Sequence, residues 1–123
     1  MSEESKSRVE FTIYGEPASK ANSRVWTGKR LIKSKKALSY VKTFESRCSP
    51  LETPLRGILK ATITIYYASR RPDLDPSLIL DLMQGRIYEN DRQVREMHLY
   101  WGLDPKNPRA EIVIEVIGDS HDY

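Results

Sequence analysis

The sequence has one cysteine, two histidines and no long apolar run. A lone Cys48 cannot form an internal disulfide or a cysteine zinc site, and its place in an apolar helical pattern predicts a buried side chain. Neither His98 nor His121 has a partner at a spacing typical of zinc ligation or of a nucleophile triad. No apolar run approaches the roughly 18 to 20 residues of a membrane span, and the polar N-terminus is unlike a secretory signal. We therefore expect a cytoplasmic protein without a membrane partner.

Acidic residues are missing from one long segment, which we call the basic segment (residues 17–44). It contains eight Lys and Arg and no Asp or Glu, and residues 1–60 as a whole carry 13 basic against 6 acidic side chains. Residues 61–123 carry 7 against 11. Such a block suits a polyanion, because each neutralised phosphate releases condensed counterions. A solvated basic face has the same composition, so charge alone leaves both interpretations open.

The hydrophobic pattern predicts a single small α+β domain with a mixed β-sheet and two main helices. We expect a domain over residues 9–118, between a flexible N-terminus (1–8) and a flexible C-terminus (119–123). Period-2 alternation predicts strands at 9–13, 59–67, 94–100 and 110–117. Helical spacing predicts helices at 35–48, capped by Ser34, and at 76–83, capped by Asp75 and closed by Gly85.

Two connecting segments have weaker patterns. Residues 18–31 lack a clear period, and we expect a long basic loop there with a short hairpin around Thr27 and Gly28. Residues 86–88 are predicted to be extended, ahead of a turn at 89–91. At 123 residues the chain is also small enough for its binding surface to need a second subunit.

The stretch RRPDLDPSLILDLMQGRIYENDRQV, residues 70–94, places carboxylates beside arginines. Asp73 and Asp75 stand two residues apart just past a predicted strand, and Asp91 follows in a later turn. Carboxylates so arranged can hold Mg²⁺ or Mn²⁺ with room for water and phosphate, and Arg70 and Arg71 could bind a phosphodiester beside them. The same residues could instead cap a helix, pair with arginines and form a turn. Spacing alone favours this structural interpretation.

Several separated motifs together resemble the RusA family of Holliday junction resolvases, which are frequent in phages and prophages. They are YGEP with Lys20 and Arg24, then RRPDLD, then an apolar helix ending LDLMQG, then IYENDRQV, and they cover residues 11–117. The resemblance implies a homodimeric, Mg²⁺-dependent endonuclease, with Mn²⁺ as the alternative ion, that makes paired nicks in four-way or branched DNA. Asp73, Asp75 and Asp91 match the family's catalytic, metal-binding carboxylates. Asp81 matches a further aspartate, for which we expect a local hydrogen bond.

The basic segment and the two arginines are the predicted DNA-binding surface. Its candidate phosphate-binding residues are Lys20, Arg24, Lys29, Arg30, Lys33, Lys35, Lys36, Arg70 and Arg71. Trp26 could stack on an unpaired base, whereas Trp101 is expected in the core or in a dimer interface.

Three positions depart from the family pattern. Pro76 stands where the family has asparagine, and Asn90 stands for the first of its paired aspartates. The helix between them is shorter and lacks the family's lysine, which assists catalysis, so Lys20, Arg70 or Arg71 would have to supply that charge. Three functions stay open: a junction endonuclease, a branched-DNA-binding protein of the same fold that cuts poorly or not at all, and a single-stranded nucleic-acid-binding accessory protein.

Overall fold

Alternating apolar residues form the strands of this protein, and two amphipathic helices cover one face of the main sheet. The structure, a computed structural model, describes residues 7–19, 24–26 and 31–119, with the backbone alone for 24–26 and 31–33. Its elements are β1 (Arg8–Tyr14), β2 (Arg24–Trp26), β3 (Leu31–Lys33), α1 (Lys35–Arg47), β4 (Ile58–Tyr67), α2 (Ser77–Met83), a 3₁₀ turn (Asp91–Gln93), β5 (Val94–Leu103) and β6 (Arg109–Gly118).

The main sheet has four strands in the order β1-β6-β4-β5. β4 runs parallel to β5, and the other neighbours are antiparallel, which confirms the predicted mixed sheet. β2 and β3 form a separate antiparallel pair in which Arg24 is opposite Lys33. This pair confirms the predicted hairpin, although its connection, residues 27–30, lies outside the described residues.

The core lies between the helices and one face of the sheet. β4 buries every second residue, and the same face of β6 is buried at Ala110, Ile112 and Ile114. α1 packs through buried Ala37, Tyr40 and Phe44, and the ring of Phe44 meets Phe11 of β1 edge to face at 6.0 Å. Each fully buried Ile, Leu or Phe contributes about 1.5–3 kcal/mol of transfer free energy, so this layer is the main source of stability.

The first helix follows its prediction closely. The hydroxyl of Ser34 accepts the N–H of Ala37 at 3.1 Å, which confirms Ser34 as the N-cap. Cys48 follows the last helical residue and is buried, as predicted, and burial raises the pKa of its thiol. Neither helix in the described part of the chain is long and apolar enough to cross a membrane.

The region around α2 corrects two predictions. The helix begins at Ser77, so Pro76 occupies the N-cap position and Asp75 lies one residue further out than predicted. The shift arises because the Asp75 carboxylate accepts the N–H of Ser77 at 3.0 Å, which closes a turn before the helix. Gly85, at φ +88°, ends the helix as predicted.

Arg86 and Ile87 are not extended as predicted, whereas Tyr88 forms isolated β-bridges with Leu55 and Gln84. Arg86 and Ile87 both donate their N–H to the carbonyl of Met83, at 3.0 and 2.9 Å, so the chain folds back as a tight turn. The last carbonyls of α2 have no partner within the helix, so the carbonyl of Met83 accepts these N–H groups. The sequence pattern of residues 86–88 does not reveal this hydrogen bonding.

Candidate active site

The first acidic segment, residues 70–76, follows the end of β4. Buried Tyr67, the last residue of β4, donates its hydroxyl to the carbonyl of Asp73 at 3.0 Å and accepts the N–H of Asp75 at 3.3 Å. Asp75 Oδ1 accepts both the N–H and the hydroxyl of Ser77, at 3.0 and 2.6 Å. The backbone between the two aspartates is therefore fixed, with Asp73 exposed and Asp75 half-buried.

Trp101 of β5 supports the same segment from the side. Its indole N–H donates to the carbonyl of Pro72 at 3.0 Å, and its ring stacks on Tyr67 with centroids 5.8 Å apart. Predicted to lie in the core or a dimer interface, Trp101 keeps 39% of its surface exposed. Two aromatic side chains, from β4 and β5, thus hold the segment that carries Asp73 and Asp75.

Glu16, in the YGEP motif, is a third carboxylate near this segment, but no spacing in the sequence links it to residues 70–76. One of its oxygens binds Lys36 at 2.7 Å, and the other accepts the N–H of Ala68 at 2.9 Å. Burial opposes ionisation of Glu16, but Lys36 and the Ala68 N–H hold its pKa below the usual value. Lys36, a predicted phosphate contact, is thus engaged in tying α1 to the end of β4.

Three carboxylates act on the hydroxyl of Tyr67. Burial raises the pKa of Tyr67, the hydrogen bond from Asp75 lowers it, and the charges of Asp75, Glu16 and Asp73 raise it again. The net pKa lies above the usual value because the phenolate would face negative charge in a poorly solvated site. Tyr67 therefore stays protonated and can keep donating to the Asp73 carbonyl.

The second acidic segment, residues 88–93, holds Asp91. The hydroxyl of buried Tyr88 donates to Asp91 Oδ1 at 2.9 Å and lies 3.2 Å from the carbonyl oxygen of Leu80. The N–H of Asp91 donates to the side chain of Gln84 at 2.8 Å. Burial, then the Asp91 hydrogen bond and the charges of Asp91 and Asp81, raise the pKa of Tyr88 above its usual range. The charges of Asp81 in α2 and of Asp91 therefore both raise the pKa of the same hydroxyl.

Gln93 anchors this second segment to the rest of the protein. Its side-chain oxygen accepts the N–H groups of Glu89 and Asn90 at 3.0 and 3.1 Å. Its side-chain nitrogen donates to the carbonyls of Leu55 and Gly57 at 3.0 and 3.1 Å. Asn90 and Gln93 form a capping box around the 3₁₀ turn. The spacing Asn-x-x-Gln is the signal that could have identified Gln93 from the sequence.

The three predicted metal ligands lie on these two segments. Among the described residues, no group of three or more His, Cys, Asp and Glu side chains is placed to hold a metal ion. The backbone of Asp73 and Asp75 is hydrogen-bonded to the hydroxyl of Tyr67, whereas the carboxylate of Asp91 is hydrogen-bonded to the hydroxyl of Tyr88. The charge of Asp81 also raises the pKa of Tyr88. The donors fit a hard cation in chemical type, because carboxylate oxygens are the ligands that Mg²⁺ and Mn²⁺ prefer. Joint ligation by Asp73, Asp75 and Asp91 stays a prediction.

The predicted DNA-binding residues are only partly described. Lys35, Arg70 and Arg71 are exposed. Lys20, Lys29 and Arg30 lie outside the described residues, and only the backbone is described for Arg24, Lys33 and Trp26. Of the two histidines, His98 is exposed and lies 2.7 Å from Glu96, and His121 is outside the described residues.

A comparison with protein families matches most of this chain. The family model described as endodeoxyribonuclease RusA matches residues 14–115, which include both acidic segments and the whole basic segment. A search of curated proteins finds no match. Because the family model covers most of the chain, the protein belongs to the RusA endodeoxyribonuclease family.

Proposed function

We propose that this protein resolves Holliday junctions by metal-dependent, paired nicking of four-way DNA, and that it acts as a homodimer. The observation that carries the proposal is that hydrogen bonds restrain two of the three predicted catalytic aspartates. Asp75 and Asp91 each have one carboxylate oxygen fixed by a hydroxyl, from Ser77 and Tyr88 respectively, while Asp73 stays exposed. Carboxylates restrained in this way lose little further conformational freedom when they bind a cation.

Asp73, Asp75 and Asp91 are the residues that would hold Mg²⁺ or Mn²⁺. A bound ion of this type activates water and stabilises the leaving oxygen in phosphodiester hydrolysis. The protein's own part is to position the ligands: Tyr67 fixes the backbone of the first segment, and Tyr88 orients Asp91. Ser77 keeps one oxygen of Asp75 directed towards the start of α2.

Among the described residues, Arg70 and Arg71 are the cations of the first acidic segment that could bind the same phosphate. Both are exposed and precede Asp73 in the first acidic segment. A guanidinium can bind two phosphate oxygens at once, so it can orient a phosphodiester beside the metal ligands. α2 itself offers no lysine or arginine between Ser77 and Met83. This absence favours, as a second candidate, a branched-DNA-binding protein with little turnover.

A synthetic four-way junction, a linear duplex of the same arm sequences and the separate single strands distinguish these functions. Each is incubated with the protein in Mg²⁺, in Mn²⁺ and in EDTA. We expect symmetric nicks in the junction alone, and only with metal. A junction-selective gel shift without nicks in either metal would support the second candidate and contradict the first. Equal affinity for both substrates and for single strands would contradict both candidates and leave single-stranded nucleic-acid binding.

Tyr88→Phe is expected to weaken metal binding by about 10- to 100-fold while leaving the fold intact. The phenylalanine ring fills the same buried space, but Asp91 loses the donor that orients it. The measurements are direct Mn²⁺ binding by the protein alone and the Mg²⁺ concentration that gives half-maximal cleavage.

Tyr40→Phe is the matched control for this prediction. Tyr40 is also buried, but its hydroxyl has no hydrogen-bond partner in the described part of the chain. Its removal should leave metal binding unchanged and should not lower stability. Equal Mn²⁺ affinities for Tyr88→Phe and Tyr40→Phe would show that Tyr88 does not position a metal ligand.

A further inference from the structure

β5 forms one edge of the main sheet and pairs with a strand on one side only, as far as the described residues extend. It is ten residues long and runs beside β4 along almost its full length. An open edge of this length presents a row of backbone donors and acceptors to any extended chain. Proteins usually protect such an edge with charges, bulges or a covering loop.

Protection of the β5 edge is confined to its first residues. Arg95 and Glu96 are charged, and the pairing with β4 shifts register at this point. From Met97 to Leu103 the sequence has no Asp, Glu, Lys or Arg. Four of the seven exposed large apolar side chains in the described part of the chain lie on this strand: Met97, Tyr100, Trp101 and Leu103. The unprotected part of the edge is therefore also its most apolar part.

The apolar face of the sheet extends from β4 onto β5, but the side chains on β5 are not buried. Met97, Leu99 and Trp101 are in register with Ala61, Ile63 and Ile65, which are completely buried on the helix-covered face of β4. On β5, however, Met97 and Trp101 each stay 39% exposed. The apolar face of the sheet thus ends in a row of partly exposed side chains on β5. A further strand beside β5 would bury them.

We propose that β5 pairs in antiparallel fashion with β5 of a second copy of this chain, about a two-fold axis at Leu99. A two-fold axis perpendicular to the sheet keeps the helix-covered faces on one side, so only residues of the same face can meet. The pairs across the interface are Leu99 with Leu99, Met97 with Trp101, His98 with Tyr100 and Glu96 with Gly102 of the partner subunit.

Charge and coverage argue against three neighbouring registers. An axis at Tyr100 would set Glu96 opposite Asp104 of the partner subunit, and directly opposed like charges destabilise a strand pair. An axis at His98 would oppose two imidazoles. An axis at Met97 would set Trp101 opposite Gln93 of the partner subunit, outside the strand, and would leave the apolar part of the edge open. The register centred on Leu99 covers the apolar row with no opposed like charges.

This interface also connects the two candidate active sites. Trp101 would meet Met97 of the partner subunit, and the same indole donates to Pro72 in the first acidic segment and stacks on Tyr67. Pairing of the strands would thus immobilise a side chain that supports Asp73 and Asp75. The inference shares the homodimer with the proposed function, but the strand and its register are assigned from β5 alone.

Variants of the full chain with one added cysteine test the register. Met97→Cys, His98→Cys and Leu99→Cys are each oxidised in dilute solution without metal or DNA, and wild type serves as control because its Cys48 is buried. We expect Leu99→Cys to give a disulfide-linked dimer far faster than the others, because only position 99 meets itself. The double variant His98→Cys with Tyr100→Cys should also cross-link. Preferential cross-linking at 97 or 98, or equal rates at all three positions, would overturn the proposed register.

The oligomeric state gives a test that does not depend on cysteine chemistry. Leu99→Lys would oppose two ammonium groups at the axis, and sedimentation should show at least a tenfold increase in the dimer dissociation constant. Ile117→Lys, an exposed apolar position on β6, is the matched control and should dimerise like wild type. A wild-type monomer at all concentrations, or equal dimerisation of both variants, would overturn the interface. A protein that cross-links at Leu99→Cys but does not cut junctions would contradict the proposed function and keep the interface.

Discussion

Asp75→Asn is expected to abolish junction cleavage while junction binding survives. The amide has the same shape as the carboxylate, and its oxygen can still accept the N–H and hydroxyl of Ser77 that hold Asp75 at the start of α2. It has no negative charge for a hard cation, so the single-turnover cleavage rate should fall by at least about 100-fold. Binding should stay equal or tighten, because one carboxylate no longer repels the phosphate backbone.

Asp81→Asn is the matched control for this result. Asp81 belongs to the same stretch and is exposed on α2, but it is not among the predicted metal ligands. We expect its variant to cleave at close to the wild-type rate. Cleavage by Asp75→Asn at the wild-type rate would remove the metal-site assignment. An equal loss in both variants would instead place the metal site nearer to Asp81 and Asp91, the pair that acts on Tyr88.

The strands and the first helix could be predicted because each depends on a local pattern. β4 alternates strictly between buried and partly exposed residues, and this alternation is visible in its sequence. α1 shows both its apolar face and its serine cap in consecutive residues. The ends of β5 and β6 extend beyond the prediction, since pairing with β4 continues through residues whose own pattern is weak.

Contacts between distant residues could not be predicted in the same way. Glu16 binds Lys36 and the backbone of Ala68, 20 and 52 residues away, and no spacing rule connects these positions. Gln93 reaches back 36 and 38 residues to the carbonyls of Gly57 and Leu55. Both contacts depend on how β1, β4 and β5 are arranged, which is a property of the completed fold.

The hydrogen bonds around the candidate site could not be predicted from the motifs that name its residues. The motifs predict Asp73, Asp75 and Asp91 as metal ligands, which stays a prediction, and nothing in the sequence indicated that Tyr67 and Tyr88 would hold these residues in two separate segments. The absence of the family's lysine from α2 agrees with the short length and burial of this helix. α2 is only seven residues long and buries Leu78, Ile79 and Met83 in the core, so few of its positions could present a cation to a phosphate. Under the proposed function, a cation for catalysis would come from another segment, and the predicted candidates are Lys20, which lies outside the described residues, and exposed Arg70 and Arg71.

Gln93→Leu is expected to lower the free energy of unfolding by about 3–5 kcal/mol, the largest stability effect that we expect from one side chain. Gln93 is the one fully buried polar side chain among the described residues, and it uses its full hydrogen-bonding capacity on four backbone groups. Leucine occupies a similar volume but leaves two N–H groups and two carbonyls without this partner. Urea denaturation followed by circular dichroism measures the change, and an unchanged slope would show that the unfolded state is not affected.

Gln84→Leu provides the comparison that isolates burial. The side chain of Gln84 is exposed and, among the described residues, accepts one hydrogen bond, from the N–H of Asp91, which water can replace. Its loss should cost no more than about 1 kcal/mol. Similar losses in the two variants would mean that the backbone groups around Gln93 find other partners, and that the 3₁₀ turn does not depend on it. A large loss in Gln93→Leu alone would show that the turn carrying Asp91 is held mainly by its attachment to the residues before β4.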